Sequence, residues 1–341
     1  MSQSTYPVFS DQCTSLLKKH LTPAIWHELA ELRTESGYRF SQLIRSGIEQ
    51  QDSDIGVYAG DAESYALFAP LLTPIIEDYH GSTGNHPAPD FSFDDLPEIN
   101  EAAQQRIIST RVRVGRNLAG FPLGPGINKA QRLEVEALIK QALAELPESI
   151  QGDYLPLSGM DEALRKDLIA RHLLFKSEDR FLTSASLMRD WPEGRGLFLS
   201  KDEAFSVWVN EEDQLRIIAL KQGSDVTTVF KLLADGVKSL SKHLDFSFNA
   251  RIGNLTSCPT NLGTAMRASV HMKLSTFSKD ETALYQQADA LGLQVRGIDG
   301  EHSQSKGGIY DISNRLRMGV TEKTAILHLV NGINALAEMD S

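Results

Sequence analysis

The sequence predicts an α+β protein: a small all-α N-terminal domain, residues 1–80, followed by a larger domain, residues 98–341, with a mainly antiparallel β-sheet flanked by α-helices. Three observations predict it. The first eighty residues carry helical apolar spacing with no period-two alternation. Residues 81–97 gather three prolines, two glycines and many polar residues without periodicity, the mark of a linker. Beyond them, alternating strands and helical stretches of unequal length are interleaved, without the regular rhythm of a doubly wound sheet.

In chain order, Thr22-Pro23 reads as an N-cap with proline at the first helical position, opening a helix over Ala24–Arg33. Phe40–Gln50 has helical spacing, and Asp52–Gly60 is a Ser/Asp/Gly loop. Asp61 caps a helix running to Tyr79, with Gly81 as its stop. In Arg111-Val112-Arg113-Val114 both arginines fall on one face of a strand and both valines on the other. Phe205, Val207 and Val209 alternate before the polar turn Asn210–Asp213, and Leu215–Leu220 follows, so this is a β-hairpin. Met266–Leu274 alternates throughout, with Arg267, Ser269, His271 and Lys273 on one face. Helical patterns cover Lys129–Leu146, Asp161–His172, Ser224–His243, Asp280–Leu291 and Thr321–Met339.

Composition narrows the function classes. With 34 basic and 45 acidic residues in 341, the chain carries a net charge of −11, which disfavours nucleic acid and anionic membrane partners. Residues 1–95 hold 5 basic and 14 acidic side chains, so most of the imbalance sits in the first module. The N-terminus has no signal-peptide pattern, and the most apolar segment, Ala66–Ile76, is too short to span a bilayer. Two cysteines, Cys13 and Cys258, fit a reducing compartment, so the expected location is the cytoplasm.

The familiar nucleotide loops and metal motifs are missing: no GxxxxGK[ST], no complete GxGxxG, no HExxH and no CxxC. What stands out is arginine on strands and at their ends: Arg111, Arg113, Arg216, Arg267 and Arg296. A guanidinium cannot shed its charge, so arginines on a sheet face need anionic partners, and a polyphosphate suits them. A single strand arginine is more often an exposed cation or a salt-bridge partner, and sequence alone does not show that the five converge. Acidic turn residues such as Glu211, Glu212 and Glu301 are usually solvated, and a lone cysteine such as Cys258 is usually a small buried hydrophobe.

Four segments carry a resemblance: Ser109-Thr110-Arg111-Val112-Arg113, Asn210-Glu211-Glu212-Asp213, Cys258-Pro259-Thr260-Asn261-Leu262-Gly263-Thr264, and Arg296-Gly297 with Gly300-Glu301-His302. In order and spacing they resemble the signatures of the phosphagen (ATP:guanido) kinases. Gly56-Val57-Tyr58 and Asp61-Ala62-Glu63-Ser64-Tyr65 resemble the arginine kinase branch. The resemblance implies Mg2+-dependent, reversible transfer of the γ-phosphoryl group of ATP to L-arginine, giving ADP and phosphoarginine. It makes residues 1–80 the guanidine specificity domain.

By the same resemblance, nucleotide contacts fall on Ser109, Thr110, Arg111, Val112, Arg113, His172, Arg216, Arg267, Ala268, Ser269, Val270, His271, Arg296, Gly297, Ile298, Asp299, Gly300 and Glu301. Glu212 and Glu301 hold the guanidinium, and either can take its proton. Arg216 and Arg296 stabilise the transferring phosphoryl group. Cys258 sets a thiolate against the substrate cation, whose charge favours that form. The loop Ser53, Asp54, Ile55, Gly56, Val57 and Tyr58 receives the α-carboxylate through backbone N–H groups. Asp52 and Arg180 form a cross-domain pair, and Glu211 reaches the magnesium water shell. Two departures stand out: Asp54 replaces the branch's usual glycine, and Asp299 replaces a basic residue. The alternatives are a kinase for taurocyamine or another small guanidine, a protein-arginine kinase, and a non-catalytic nucleotide-binding adaptor. Monomer and homodimer are both open.

Overall fold

A computed structural model of the chain describes residues 5–81, 84–297 and 307–340. In the N-terminal part, helix Pro23–Leu29 begins as expected, with the Thr22 Oγ1 accepting from the Ile25 N–H at 3.2 Å. It ends at Leu29, not Arg33. The expected 40–50 helix is two short ones, Phe40–Leu43 and Arg45–Glu49, broken at Ile44 so that Gly47 meets Gly56: the Gly47 N–H donates to the Gly56 carbonyl at 3.0 Å. Asp61 does cap, accepting from the Ser64 N–H and hydroxyl, but the segment is divided into Ser64–Leu67 and Ala69–His80. Pro70 and Pro74 withhold N–H donors from one continuous ladder. Gly81 closes the second helix at φ 71°, the left-handed position that glycine takes without strain.

Trp26, Phe40 and Phe68 pack in a row with ring centroids 6.0 and 5.5 Å apart. A unit of about eighty residues encloses little on its own. Its core is completed by Leu182, Leu187, Leu255, Cys258 and Leu262 from the larger domain. Residues 84–97 form no helix or strand, yet they are docked: Phe91 is buried in the large core and the Asp90 N–H donates to Glu322.

The large domain holds β1 Ile107–Arg116, β2 Gly152–Pro156, β3 Gly196–Ser200, β4 Phe205–Val209, β5 Leu215–Gln222, β6 Phe248–Asn249, β7 Gly253–Asn254, β8 Met266–Lys273, β9 Leu293–Arg296 and β10 Ile309–Asn314. Eight of them form one sheet in the order β2-β3-β4-β5-β1-β8-β10-β9, every neighbour antiparallel, while β6 and β7 pair separately. One face packs against helices Lys129–Ala144, Val226–Leu240 and Glu322–Met339, burying Val112, Val114, Ala268 and Val270 completely. Each of the five helices expected here lies inside its predicted range, with Asn128, Asp161, Asp225, Asp280 or Thr321 as side-chain cap. The other face is not bare. At its β2–β4 end, Leu157, Leu168, Leu174 and Phe175 cover Leu197 and Trp208, leaving the arginine side of β1 and β8 as the floor of a cleft.

Candidate active site

Strand register assembles the site. On β1, Arg111 lies opposite Ser269 of β8, and Arg113 lies opposite Arg267. On the other flank Arg113 faces Ile218 of β5, and Arg216 lies two residues before Ile218, on the same face. On the far flank His271 faces Asp311 of β10, and Asp311 faces Arg296 of β9. The pleat thus brings all five predicted arginines, with Ser109, Ser269 and His271, to one face. Val112, Thr110, Ala268 and Val270 alternate to the opposite face and are fully buried. The nucleotide-contact expectation for them is corrected at the side-chain level: they shape the site only through the strands they belong to.

Among the described residues, Arg111 and Arg267 keep guanidinium donors short of partners. Arg116, pointing into the core, shows a structural arginine satisfied: it donates to the Gly115 and Thr264 carbonyls and pairs with Glu322 at 3.5 Å. On the working face, the Nε atoms of Arg111 and Arg267 are buried with no hydrogen-bond partner, as is Asp311 Oδ1. Burial and the neighbouring Arg216 and Arg267 pull the Arg111 guanidinium down to about 10. Burial, then Arg216, Arg111 and Arg267, pull Arg113 well below its ordinary value. Such a cluster raises its own cost until an anion enters. Arg111 and Arg113 form one wall of a cleft of about 500 Å3, with His172, Lys176, Trp208 and Glu211 around it.

The β4–β5 turn supplies the acidic side. Asn210 sits at φ 56° and its amide donates to the Gly194 carbonyl at 2.7 Å, which fixes the turn. Arg216 Nη2 lies 3.2 Å from Glu211 and 3.1 Å from Glu212, and its guanidinium stacks over Trp208. Burial lowers Arg216, but Glu211, Glu212 and Asp213 more than offset it, so its charge is held more firmly than usual. Burial, followed by Asp213 and Glu211, drives the Glu212 carboxyl up to about 8. Glu212 Oε1 accepts from the Asn261 amide at 3.3 Å, bringing in the cysteine segment.

Cys258 is buried, with Sγ 3.1 Å from the Thr260 hydroxyl. Burial and the Glu212 carboxylate push its thiol up to about 12. The thiolate expected beside a bound substrate cation is therefore disfavoured in the free chain. The segment is bound to the small domain, with the Ala59 N–H donating to the Ser257 carbonyl and the Tyr65 hydroxyl to that of Thr256. In the Ser53–Tyr58 loop, the N–H groups of Ser53, Gly56 and Tyr58 are used inside the fold, by Gln50 O, Ser53 Oγ and Leu43 O, whereas those of Ile55 and Val57 donate to no group among the described residues. Asp54 is exposed. Arg180 grips Asp52 through both oxygens, so the expected cross-domain pair is formed.

Ile298, Asp299, Gly300 and Glu301 lie outside the described residues, while Gly297 follows β9 and is buried. Sequence reading missed Asp213, which accepts from both Asn117 and the Ser257 N–H at 2.8 Å, and Asp311, which pairs with Arg267 at 2.9 Å. The signal for Asp311 was the Ile309–Asn314 alternation, which places it beside Arg296 and His271 once the strand is recognised. Among the described residues no group of three or more His, Cys, Asp or Glu side chains could hold a metal, and no helix is long and apolar enough to cross a membrane.

Residues 11–77 match the family described as ATP:guanido phosphotransferase, N-terminal domain, and residues 134–341 match ATP:guanido phosphotransferase, C-terminal catalytic domain. The chain is 45% identical over 331 residues to an arginine kinase of Penaeus monodon, covering 96% of this chain and 93% of that protein. It is 45% identical over 335 residues to an arginine kinase of Limulus polyphemus, covering 97% and 94%. Among solved structures it resembles the duplicated taurocyamine kinase from Schistosoma mansoni (TM-score 0.91, 37% identity, 97% of this chain). The chain spans about half of that duplicated protein, 47%. It also resembles a lombricine kinase (TM-score 0.92, 31% identity, 99% of this chain and 95% of that one).

Proposed function

The chain belongs to the ATP:guanido phosphotransferase family, and on that premise we propose that it is an arginine kinase, reversibly transferring the γ-phosphoryl group of ATP to the guanidino group of L-arginine to give phosphoarginine and ADP. The observation that carries this reading is a single junction: Arg216 joins a cation-rich cleft suited to a polyphosphate to a carboxylate and thiol pocket suited to a guanidinium. A non-catalytic adaptor has no need for such a pocket.

In this mechanism Arg111, Arg113 and Arg267 hold the nucleotide phosphates, which would satisfy the Nε donors of Arg111 and Arg267 that lack partners among the described residues of the free chain. Arg216, pinned by Glu211 and Glu212 and braced on Trp208, donates to the equatorial oxygens of the moving phosphoryl group, where charge spreads in a loose transition state. A guanidinium is a poor nucleophile at its ordinary protonation. Glu212, whose affinity for a proton is raised by burial, orients one guanidino nitrogen and takes its proton as the N–P bond forms and the bond from γ-phosphorus to the bridging oxygen breaks. Cys258, made anionic by the substrate's own charge, helps to fix that cation.

Magnesium fits this site as a companion of the nucleotide: Glu211, which shares the cleft wall with the carboxylates of Glu178 and Asp179, stands beside the phosphate-binding arginines and would reach the ion through water. When bound, the ion neutralises phosphate charge. Free arginine, with its α-carboxylate, matches the unused Ile55 and Val57 N–H groups. The net charge and two free cysteines support a cytoplasmic setting.

ADP release with magnesium and ATP, compared across L-arginine, taurocyamine, lombricine and an arginine-containing peptide, tests the proposal. L-arginine should give the highest kcat/KM; a clear preference for another acceptor reassigns the substrate, and turnover of none removes the activity.

A further inference from the structure

Ser46 and Ser184 come from opposite domains and meet in a buried contact, 1% and 4% exposed, with their hydroxyl oxygens 2.9 Å apart. Both also lie within hydrogen-bond distance of the Phe181 carbonyl, Ser46 at 3.1 Å and Ser184 at 2.9 Å. Two hydroxyl protons can fill two of these three contacts at a time: either one serine donates to the other, which donates to the carbonyl, or both donate to the carbonyl. All three contacts are present only when both serines are in place.

What lies on either side gives this ring its interest. Ser46 precedes Gly47, whose N–H donates to the Gly56 carbonyl; a Cβ on Gly47 would sit 2.5 Å from Gly56 Cα, so the two backbones touch. The Ile55 carbonyl in turn accepts from the Leu17 N–H. The Ser53–Tyr58 loop thus has little freedom to move without carrying Ser46. On the other side, Ser184 ends the short helix Arg180–Ser184, whose N-cap Asp179 accepts from the N–H groups of Phe181 and Leu182. Asp179 and Glu178 line the same cleft as Arg111 and Arg113. Leu182 and Leu187 are buried in the small domain's core, so the helix moves with that domain.

We propose that the Ser46–Ser184–Phe181 ring is the positioning element that couples the guanidine loop to the wall of the nucleotide cleft, so that filling one site changes affinity at the other. This rests on the assignment of those two sites made above. The Asp52–Arg180 pair lies outside the ring and is exposed, and water competes for it; the ring is buried and has no such competitor. Coupling of this kind is reciprocal: the factor by which ADP changes guanidine affinity equals the factor by which the guanidine changes ADP affinity.

The test is calorimetric titration of guanidine into the full chain with and without MgADP, a combination that does not turn over. The guanidine is whichever one the turnover assay selects, so an error in the arginine assignment shows in that assay and leaves this test intact. The wild-type chain should show a coupling factor well above one. Ser46→Ala, which removes both hydroxyl contacts between the domains, should reduce it by about fivefold, the equilibrium equivalent of one net hydrogen bond, and Ser184→Ala, which leaves the Ser46 contact with the Phe181 carbonyl, should reduce it by less. The double variant should lose no more than Ser46→Ala alone, because that variant already removes every contact of the ring that crosses the domains. A merely structural role lowers thermal stability and leaves the factor unchanged. A wild-type factor of one, an unchanged factor in the variants, or additive losses overturn the proposal. Should the variants fail to fold, hydrogen exchange of the wild-type chain decides: guanidine alone should slow exchange at the amides of Phe181–Ala185, and unchanged rates there overturn the proposal.

Discussion

Arg113 and Arg267 stand directly opposite one another on β1 and β8, like charges in adjacent cross-strand positions. Such pairs destabilise a sheet. Arg267 is compensated by Asp311, but among the described residues no carboxylate lies within ion-pair distance of Arg113. The free chain therefore carries an electrostatic cost that a polyanion removes.

ADP or inorganic tripolyphosphate should accordingly raise the melting temperature more than chloride at matched ionic strength, by the equivalent of about 2.7 kcal/mol at a ligand concentration a hundred times its Kd. Arg113→Met should stabilise the ligand-free protein while cutting kcat by about 10^2 to 10^3. A variant that melts below the parent would show that Arg113 supports the fold and not the ligand.

Arg216→Ala should reduce turnover by about 10^3. It should also move the acid limb of the kcat/KM profile to higher pH, because Arg216 is the group that holds Glu212 down against burial, Asp213 and Glu211. Steady-state rates from pH 6 to 9.5 check both. An unshifted limb separates Arg216 from Glu212.

Glu212 also predicts how the free protein's stability varies with pH. Its folded value, about 8, lies above the ordinary carboxyl value, so between roughly 4.5 and 8 the folded state binds more protons than the unfolded one. Stability from this group is present below that window and is lost as pH rises through it. Melting curves of the wild type should fall across the window more steeply than those of Glu212→Gln, and a bound guanidine should flatten the wild-type slope. Parallel curves would locate the proton elsewhere.

Cys258→Ser should lose much of the rate, with a deeper loss at low pH, and chloride should restore part of it by occupying the vacated anionic position. In the free enzyme, alkylation of Cys258 should accelerate only above the pH at which an ordinary thiol ionises, about 8.5. Full activity of the serine variant from pH 6 to 9 would reduce Cys258 to a packing residue.

Agmatine, which keeps the guanidinium and chain of arginine but has no carboxylate, should be a poor substrate. Each loop N–H left unpaired in a closed pocket costs about 1 to 3 kcal/mol. Because Asp54 is exposed, Asp54→Gly should leave arginine turnover intact or improve it. Equal kcat/KM for agmatine and L-arginine would take carboxylate recognition away from the 53–58 loop.

Much of the fold was legible because its signals are local. The Asn128, Asp161, Asp225, Asp280 and Thr321 caps and the Met266–Lys273 alternation depend on neighbours in sequence. The 40–50 segment was misread as a single helix because its break at Ile44 answers to a tertiary contact, the meeting of Gly47 with Gly56, whereas the break of the 61–79 segment at Phe68 has a local cause in Pro70. β3, Gly196–Ser200, was missed because it is covered on both faces and shows no alternation.

The sequence by itself determined where the arginines of β1, β5 and β8, the acidic turn at 210–213 and Cys258 stand on strands and turns, through propensities acting over a few residues, while their chemical roles followed from the resemblance of the segments that carry them. Only the tertiary structure decided how they work together. Register across β5, β1, β8, β10 and β9 is set by hydrogen bonds between segments that are not neighbours in sequence, those from β1 to β5 and β8 spanning about a hundred residues or more, and it puts the five arginines on one face. The protonation of Glu212 and Cys258 is likewise a tertiary property. A carboxyl is driven up to about 8 and a thiol to about 12 chiefly because the fold takes them out of water; the acidic groups beside Glu212 are its own sequence neighbours Asp213 and Glu211, but the burial of both groups and the approach of Glu212 to Cys258 come only from the fold.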